Sequence, residues 1–328
     1  MDAAAYVGSA APEEGRRTVA VVEVRGLRKH YGGRAVVDGV SFEVTDGEIF
    51  GIVGPNGAGK TTTVECIEGL RRPDAGQIRV LGLDPQRHAR EVRRSLGVQL
   101  QASRLPDRLK VWEAIDLYAT FYEDPADTAE LLELLGLTEH RNVRFAKLSG
   151  GQQQRLSIAL ALVGQPQVAV LDELTTGLDP QARRDTWTLI EQIRGRGVSI
   201  VLVTHFMDEA ERLCDRLAVI DRGRIVALDS PASIVTRAGG AHRLRFAPSA
   251  PVDTQRLLQL TEVTDVEQRP HELVVTGNQH VVQAVMAWLD REQIVADRLR
   301  VDQPNLDDAF VTLTGRSLDD ADAPGDDR

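Results

Sequence analysis

GPNGAGKTT, Gly54 to Thr62, follows the apolar run GEIFGIV and satisfies the pattern G-x-x-x-x-G-K-[S/T]. A strand that feeds a Gly-rich turn and then a helix is the setting in which this pattern binds phosphate. Gly54, Gly57 and Gly59 free the backbone so that successive N–H groups converge on phosphate oxygens, aided by the dipole of the following helix. Pro55, Asn56 and Ala58 complete the cradle. Lys60 adds a point charge for β and γ phosphates, Thr61 offers a hydroxyl to Mg²⁺, and Thr62 is a helix or phosphate contact. A purely structural turn would not call for Lys followed by Thr at this place. The expected ligands are ATP and Mg²⁺.

Downstream, the apolar run VAVLDE, residues 168 to 173, ends in two carboxylates. Ligands bind at the carboxyl ends of strands in open α/β sheets, so the pair is expected beside the phosphates. Asp172 is assigned to hydrated Mg²⁺, and Glu173 to polarising the attacking water as a general base. VSIVLVTH, residues 198 to 205, reads as a neighbouring buried strand whose final His205 steadies the base and the water.

A second anion cup is written in LSGGQQQRL, Leu148 to Leu156. Ser149 and the amides of Gly150 and Gly151, followed by Gln152, open a helix and present unpaired N–H groups. One nucleotide does not need two such cups in one chain. The economical reading is a head-to-tail pair of chains sandwiching two ATP.

The phosphate loop, LSGGQ, Asp172-Glu173 and His205, in that order, resemble the nucleotide-binding domain of an ABC transporter over about residues 21 to 240. The resemblance implies a P-loop NTPase cassette with a RecA-like α/β core, an antiparallel β subdomain and a helical subdomain. It implies that Tyr31 stacks on adenine, the alternative being a Tyr packed at a strand end. It also implies that Gln101 touches Mg²⁺ and links the site to the helical insert, with Gln99 as the second choice, and that Asp179 in TTGLDP communicates across the dimer. One departure is Leu174, where the family commonly has Pro after the catalytic Glu; this leaves the stiffness of that loop open.

Around these motifs the chain of 328 residues has room for two domains. Residues 1–18 read as a flexible leader, 19–240 as the nucleotide-binding domain with a helical insert at about 102–160, 241–316 as an accessory α+β domain, and 317–328 as an acidic disordered tail. The accessory domain shows the order βαββαβ, a ferredoxin-like arrangement. Its closing segment PNLDDAFVTLTGR, Pro304 to Arg316, resembles the ending of daunorubicin-resistance type exporter ATPases. Read from its residues alone, it is an amphipathic helix capped by Asn305 and Asp307 that packs the small domain on the core.

The net charge of −10 argues against a sequence-independent nucleic-acid binder, which needs a basic surface. Cys66 and Cys214 lack metal-site spacing and read as inert thiols of a reducing compartment. No run approaches the roughly 20 apolar residues that span a bilayer. The function implied is an ATPase subunit on the cytoplasmic face of the membrane, paired with a second copy and driving a separate permease that exports drugs, antibiotics or lipid-like compounds. The alternative is a non-transport ABC ATPase acting on the ribosome or DNA. It is disfavoured by the single cassette and by the absence of sustained heptads between Gln101 and Ser149.

Overall fold

The computed structural model describes residues 19–99, 105–239 and 242–315. The expected leader, Gln101 and the acidic tail lie outside the described residues. Buried apolar residues at alternate positions, Val22 and Val24 in one and Val40, Phe42 and Val44 in the other, mark two long strands, β1 (Ala20–Tyr31) and β2 (Arg34–Thr45), closed as a hairpin over Gly32 and Gly33. After β3 (Ile49–Val53) and α1 (Lys60–Ile67), strand β4 (Ala75–Val80) returns to pair with β1, giving an antiparallel sheet of order β2-β1-β4.

A helical region follows: α2 (Ala89–Ser95), β5 (Leu96–Gln99), α3 (Val111–Ala119), α4 (Thr128–Leu134) and α5 (Gly150–Leu162). Then helices and strands alternate as β6 (Val168–Asp172), α6 (Pro180–Gly195), β7 (Ser199–Thr204), α7 (Met207–Leu213), β8 (Arg216–Asp221), β9 (Arg224–Asp229) and α8 (Pro231–Ala238). The central sheet runs β5-β6-β7-β3-β8-β9, parallel except for its last pair.

Every residue of β3, β6 and β7 is buried, because both faces of the sheet are covered. The two-residue period of a strand divides β3 between two cores: Ile49 and Val53 face the one shared with α3, α4 and α5, and Phe50 and Ile52 face the one shared with the antiparallel sheet. Gly51 is required by this packing, since a Cβ there would stand 2.8 Å from the Cys214 sulfur and 2.9 Å from Leu217 Cβ.

The chain continues as β10 (His242–Pro248), α9 (Thr254–Leu258), β11 (Val263–Gln268), β12 (Leu273–Gly277), α10 (Val281–Arg291), β13 (Ala296–Asp302) and α11 (Leu306–Thr314). These four strands form an antiparallel sheet of order β11-β12-β10-β13 over a separate core containing Phe246, Leu257, Val275 and Leu289.

Helix α11 leaves this unit and packs on α7 and α8, placing Leu306, Ala309 and Phe310 in the core of the central sheet. Asn305 caps it, but the reciprocal partner is Asp308, whose carboxylate accepts the Asn305 N–H, so the expected cap at Asp307 is corrected. Asp308 stands at the third helical position, where a side chain reaches back to the cap; Asp307 stands one residue too early. Phe310 is fully buried. Phe310→Ala is therefore expected to cost about 3 kcal/mol, read as a lower urea midpoint with an unchanged slope.

Candidate functional site

Register brings the site together. Val53 pairs with Thr204 and Asp172 pairs with Val203, so the three central strands end at one level and release the phosphate loop, Asp172-Glu173 and His205 side by side. The loop then lies flat against its neighbours. A Cβ on Gly54 would stand 2.1 Å from the Ile220 carbonyl oxygen, and one on Gly59 2.5 Å from that of Val36, with both glycines at positive φ. Gly223 N–H donates to the Ala58 carbonyl at 2.9 Å, pinning the loop to the turn between β8 and β9.

Pro55, Ala58 and Lys60 are buried, whereas Asn56, Gly57 and Thr61 are exposed and Thr62 is half-buried. The Lys60 ammonium donates to the Gly54 and Pro55 carbonyls at 2.7 and 3.0 Å. Helix α1 begins at Lys60 with no side-chain cap, so its first N–H groups are not taken up by one.

Asp172 N–H donates to the Gln99 side-chain oxygen at 3.1 Å, which gives buried Gln99 a place in the scaffold under the carboxylate. Burial, with the adjacent Glu173 charge, raises the Asp172 carboxyl to about 6 against the pull of Lys60. Two adjoining carboxylates at the sheet edge, with the Thr61 hydroxyl and no cage of three or more His, Cys, Asp or Glu among the described residues, suit Mg²⁺. That ion keeps waters and phosphate oxygens as most of its ligands.

Glu173 adopts φ +49°, a left-handed conformation costly for this residue type, and is held there by its N–H donating to the Val203 carbonyl at 2.9 Å. Its Oε1 lies 3.4 Å from His205 Nδ1, so a proton on that nitrogen would point at the carboxylate. His205 itself sits one residue beyond β7. Leu174 is buried in the main core, so the loop after Glu173 is tied down by an apolar side chain where the resemblance led one to expect proline.

Ser149 caps α5 in a reciprocal box: its hydroxyl accepts Gln152 N–H at 3.3 Å, and the Gln152 side-chain oxygen accepts Ser149 N–H at 2.9 Å. The Gln152 amide then lies 2.8 Å from His140 Nε2. A Cβ at Gly150 would come no nearer than 4.0 Å to Leu178, and one at Gly151 would meet Ala182 at 3.5 Å, so this chain's own packing does not demand glycine at either place.

Asp179 caps α6, accepting the Gln181 and Ala182 N–H groups at 2.9 and 3.0 Å; these bonds lower its pKa. Tyr31 ends β1 with 40% of its surface exposed, its ring flanked by Arg71 and Lys29 at 5.2 and 5.7 Å from the centroid. It is thus an open aromatic face between cations.

Two residues at the site escaped sequence reasoning. Glu209, on α7, is wholly buried and accepts the Trp187 indole N–H at 3.1 Å. Burial raises its pKa, opposed by the side chains of Thr204, Trp187 and Thr175, so it stands between the loop after Glu173 and the end of β7. His140, which lies beside the Gln152 amide, ends a short 3-10 turn (Thr138–His140). In sequence both look like surface polar residues, and no local signal marks the burial of Glu209 or the contact of His140 with Gln152.

Residues 37–176 match the family described as ABC transporter. The chain is 39% identical to the Nod factor export ATP-binding protein I of Paraburkholderia xenovorans, over 92% of this chain and 99% of that protein. It is 35% identical to the protein of the same name from Rhizobium etli, over 95% and 99%. Among solved structures, an ATP binding subunit of an ABC transporter superposes with a TM-score of 0.61 at 29% identity, covering 67% of this chain and 93% of that one. A dimeric ATP-binding cassette in a post-hydrolysis state with ADP and Pi gives 0.57 at 25% identity, covering 64% and 98%.

Because the folded chain raises the Asp172 pKa from 3.8 to about 6, the stability contributed by this group is complete below pH 4 and is lost as pH rises through 6. Asp172→Asn removes that loss. In chain free of nucleotide and metal, the stability of the variant relative to the parent should grow by about 2 kcal/mol between pH 4 and pH 8, measured by urea unfolding.

Proposed function

The chain belongs to the ABC transporter family as an ATP-binding, ATP-hydrolysing subunit, and from that premise we propose that two copies close around two MgATP to drive a separate membrane permease in export. The observation that carries this reading is the common level at which β3, β6 and β7 end, putting Lys60, Asp172 and the Glu173–His205 pair at one sheet edge.

In the proposed mechanism the backbone N–H groups of residues 54–59 and the start of α1 bind the triphosphate, with Lys60 neutralising its β and γ oxygens. Thr61 and Asp172, with Gln101 as the resemblance implies, would hold Mg²⁺, which would supply positive charge against the phosphate oxygens. Glu173 takes the proton of the attacking water as its oxygen bonds to the γ phosphorus. The bond from that phosphorus to the β–γ bridging oxygen breaks, giving ADP and inorganic phosphate. His205 holds the Glu173 carboxylate in place through its Nδ1 proton. Tyr31 stacks on the adenine.

Ser149, Gly150, Gly151 and Gln152 receive the phosphates of the nucleotide on the other copy, and Asp179, capping α6 near this face, signals between the two. The open space beside Gly150 supports this assignment, because room that the chain itself leaves unused fits an incoming ligand. ATP closes the pair only by binding the closed form better than the open one, and hydrolysis reverses that preference. The helical region that includes α3 passes the motion to the permease, while the unit from β10 to β13 is held to the cassette through α11.

No helix among the described residues is long and apolar enough to cross a membrane, which accords with a subunit docked on a permease at the cytoplasmic face. Export is favoured over import because relatives matched along nearly their whole length are named export ATP-binding proteins. A drug, an antibiotic or a lipid-like compound is the cargo class we propose.

Glu173→Gln should slow ATP hydrolysis by roughly 10²- to 10⁴-fold while the chain still binds MgATP and accumulates as an ATP-bound dimer in size-exclusion chromatography. A variant that hydrolyses at the parent rate would remove Glu173 from the role of base. Gly150→Ala should leave the unfolding free energy within about 1 kcal/mol of the parent yet abolish ATP-dependent dimerisation. Undiminished dimerisation would place the second anion cup elsewhere.

A further inference from the structure

Glu68, at the end of α1, is 5% exposed, and its Oε2 finds no hydrogen-bond partner among the described residues. It lies on the floor of a cavity of about 270 Å³ between α1, β5, α3 and α5, whose walls include Leu70, Tyr118, Tyr122 and Leu160. Burial, followed by the charges of Asp172 and Glu65, raises its pKa to about 8. Arg93 borders the same cavity but makes no hydrogen bond to Glu68 Oε2, and no cation among the described residues lowers the pKa of that carboxyl. A buried carboxyl left in this condition costs free energy that a bound cation would recover.

The surface around the cavity is unusually apolar for a solvent-facing one. Leu70 is 58% exposed, Phe121 is 71% exposed and stands edge-on to Tyr118, and the neighbouring Leu117 is also exposed. Tyr122 is set firmly beneath them, its ring lying where a Cβ on Gly164 would come within 2.2 Å. An apolar rim around a buried, uncompensated acid has the form of a docking socket.

We propose that this cavity receives one Arg or Lys side chain, flanked by apolar residues, from a cytoplasmic segment of the permease, with the Glu68 carboxylate as its counter-ion. The proposal rests on the transporter reading above and adds the chemistry by which the partner is recognised. The apolar rim contributes contact area, and Glu68 selects a cationic centre over a neutral one.

The test uses the full chain with MgATP and two blocked peptides, acetyl-Leu-Arg-Leu-amide and its citrulline counterpart, which differ in charge and hardly in shape. Leucine methyl NMR shifts, read at Leu70 and Leu160, report where each peptide binds. The arginine peptide should bind roughly tenfold tighter than the citrulline peptide, and Glu68→Gln should erase the difference. Equal affinities in the parent chain, a preference that survives Glu68→Gln, or no saturable binding at Leu70 and Leu160 would each overturn the socket. So would shifts of these methyls with protein concentration alone, which would assign the face to a second copy. ATP binding and hydrolysis are measured on the same samples: their loss in the parent chain would count against the function proposed above, whereas intact ATPase without discrimination between the peptides would count against the socket alone.

Discussion

The shared level of β3, β6 and β7 is the constraint on which everything else in the molecule depends. Side chains alternate faces along a strand, so a slip of one residue in β6 would put Glu173 or Leu171 where Asp172 stands and turn buried leucines and valines toward the wrong core. The two cores on either face of the sheet prevent that slip. Apolar packing far from any phosphate thus fixes the positions of two carboxylates to within hydrogen-bonding tolerance. The antiparallel sheet, the helical region and the final helix all add to the cores that enforce this register.

Electrostatic tension is concentrated at the same edge. Asp172, Glu173 and Glu68 are acids held near one another with little water, and Lys60 is the cation that acts on Asp172 from within the chain. A protein selected only for stability would not keep such a cluster. Such a cluster suits the proposed task of this edge, holding a multiply charged anion together with a divalent cation, and the left-handed turn at Glu173 belongs to the same pattern.

The sequence was most legible where backbone geometry dictates residue type. Gly54 and Gly59 stand out because close backbone approach leaves no room for a Cβ, the Asp172-Glu173 pair because it closes a fully buried strand, and Ser149 because it caps the helix that Gly150 opens. The core strands were legible as well, since burial on both faces removes polar residues from them. Less could be read where a polar residue takes its role from tertiary packing: Glu209 and Glu68 sit among ordinary helix-forming residues, and His140 ends a short 3-10 turn. Only the assembled fold shows that the two glutamates are buried and that His140 meets Gln152. The capping partner at Asp308 shows the same limit on a smaller scale, because adjacent aspartates differ by one position on a helix and composition cannot choose between them.

Helix α11 lies at the far end of the described chain, yet Leu306, Ala309 and Phe310 fill space in the central core beside residues encoded far earlier. During synthesis the cassette therefore leaves the ribosome with an unfilled apolar gap between α7 and α8. The gap closes only after the whole β10–β13 unit has been made. The order of translation places that unit ahead of the last piece of the core, so a nascent cassette waits in an incompletely packed state until its final helix arrives.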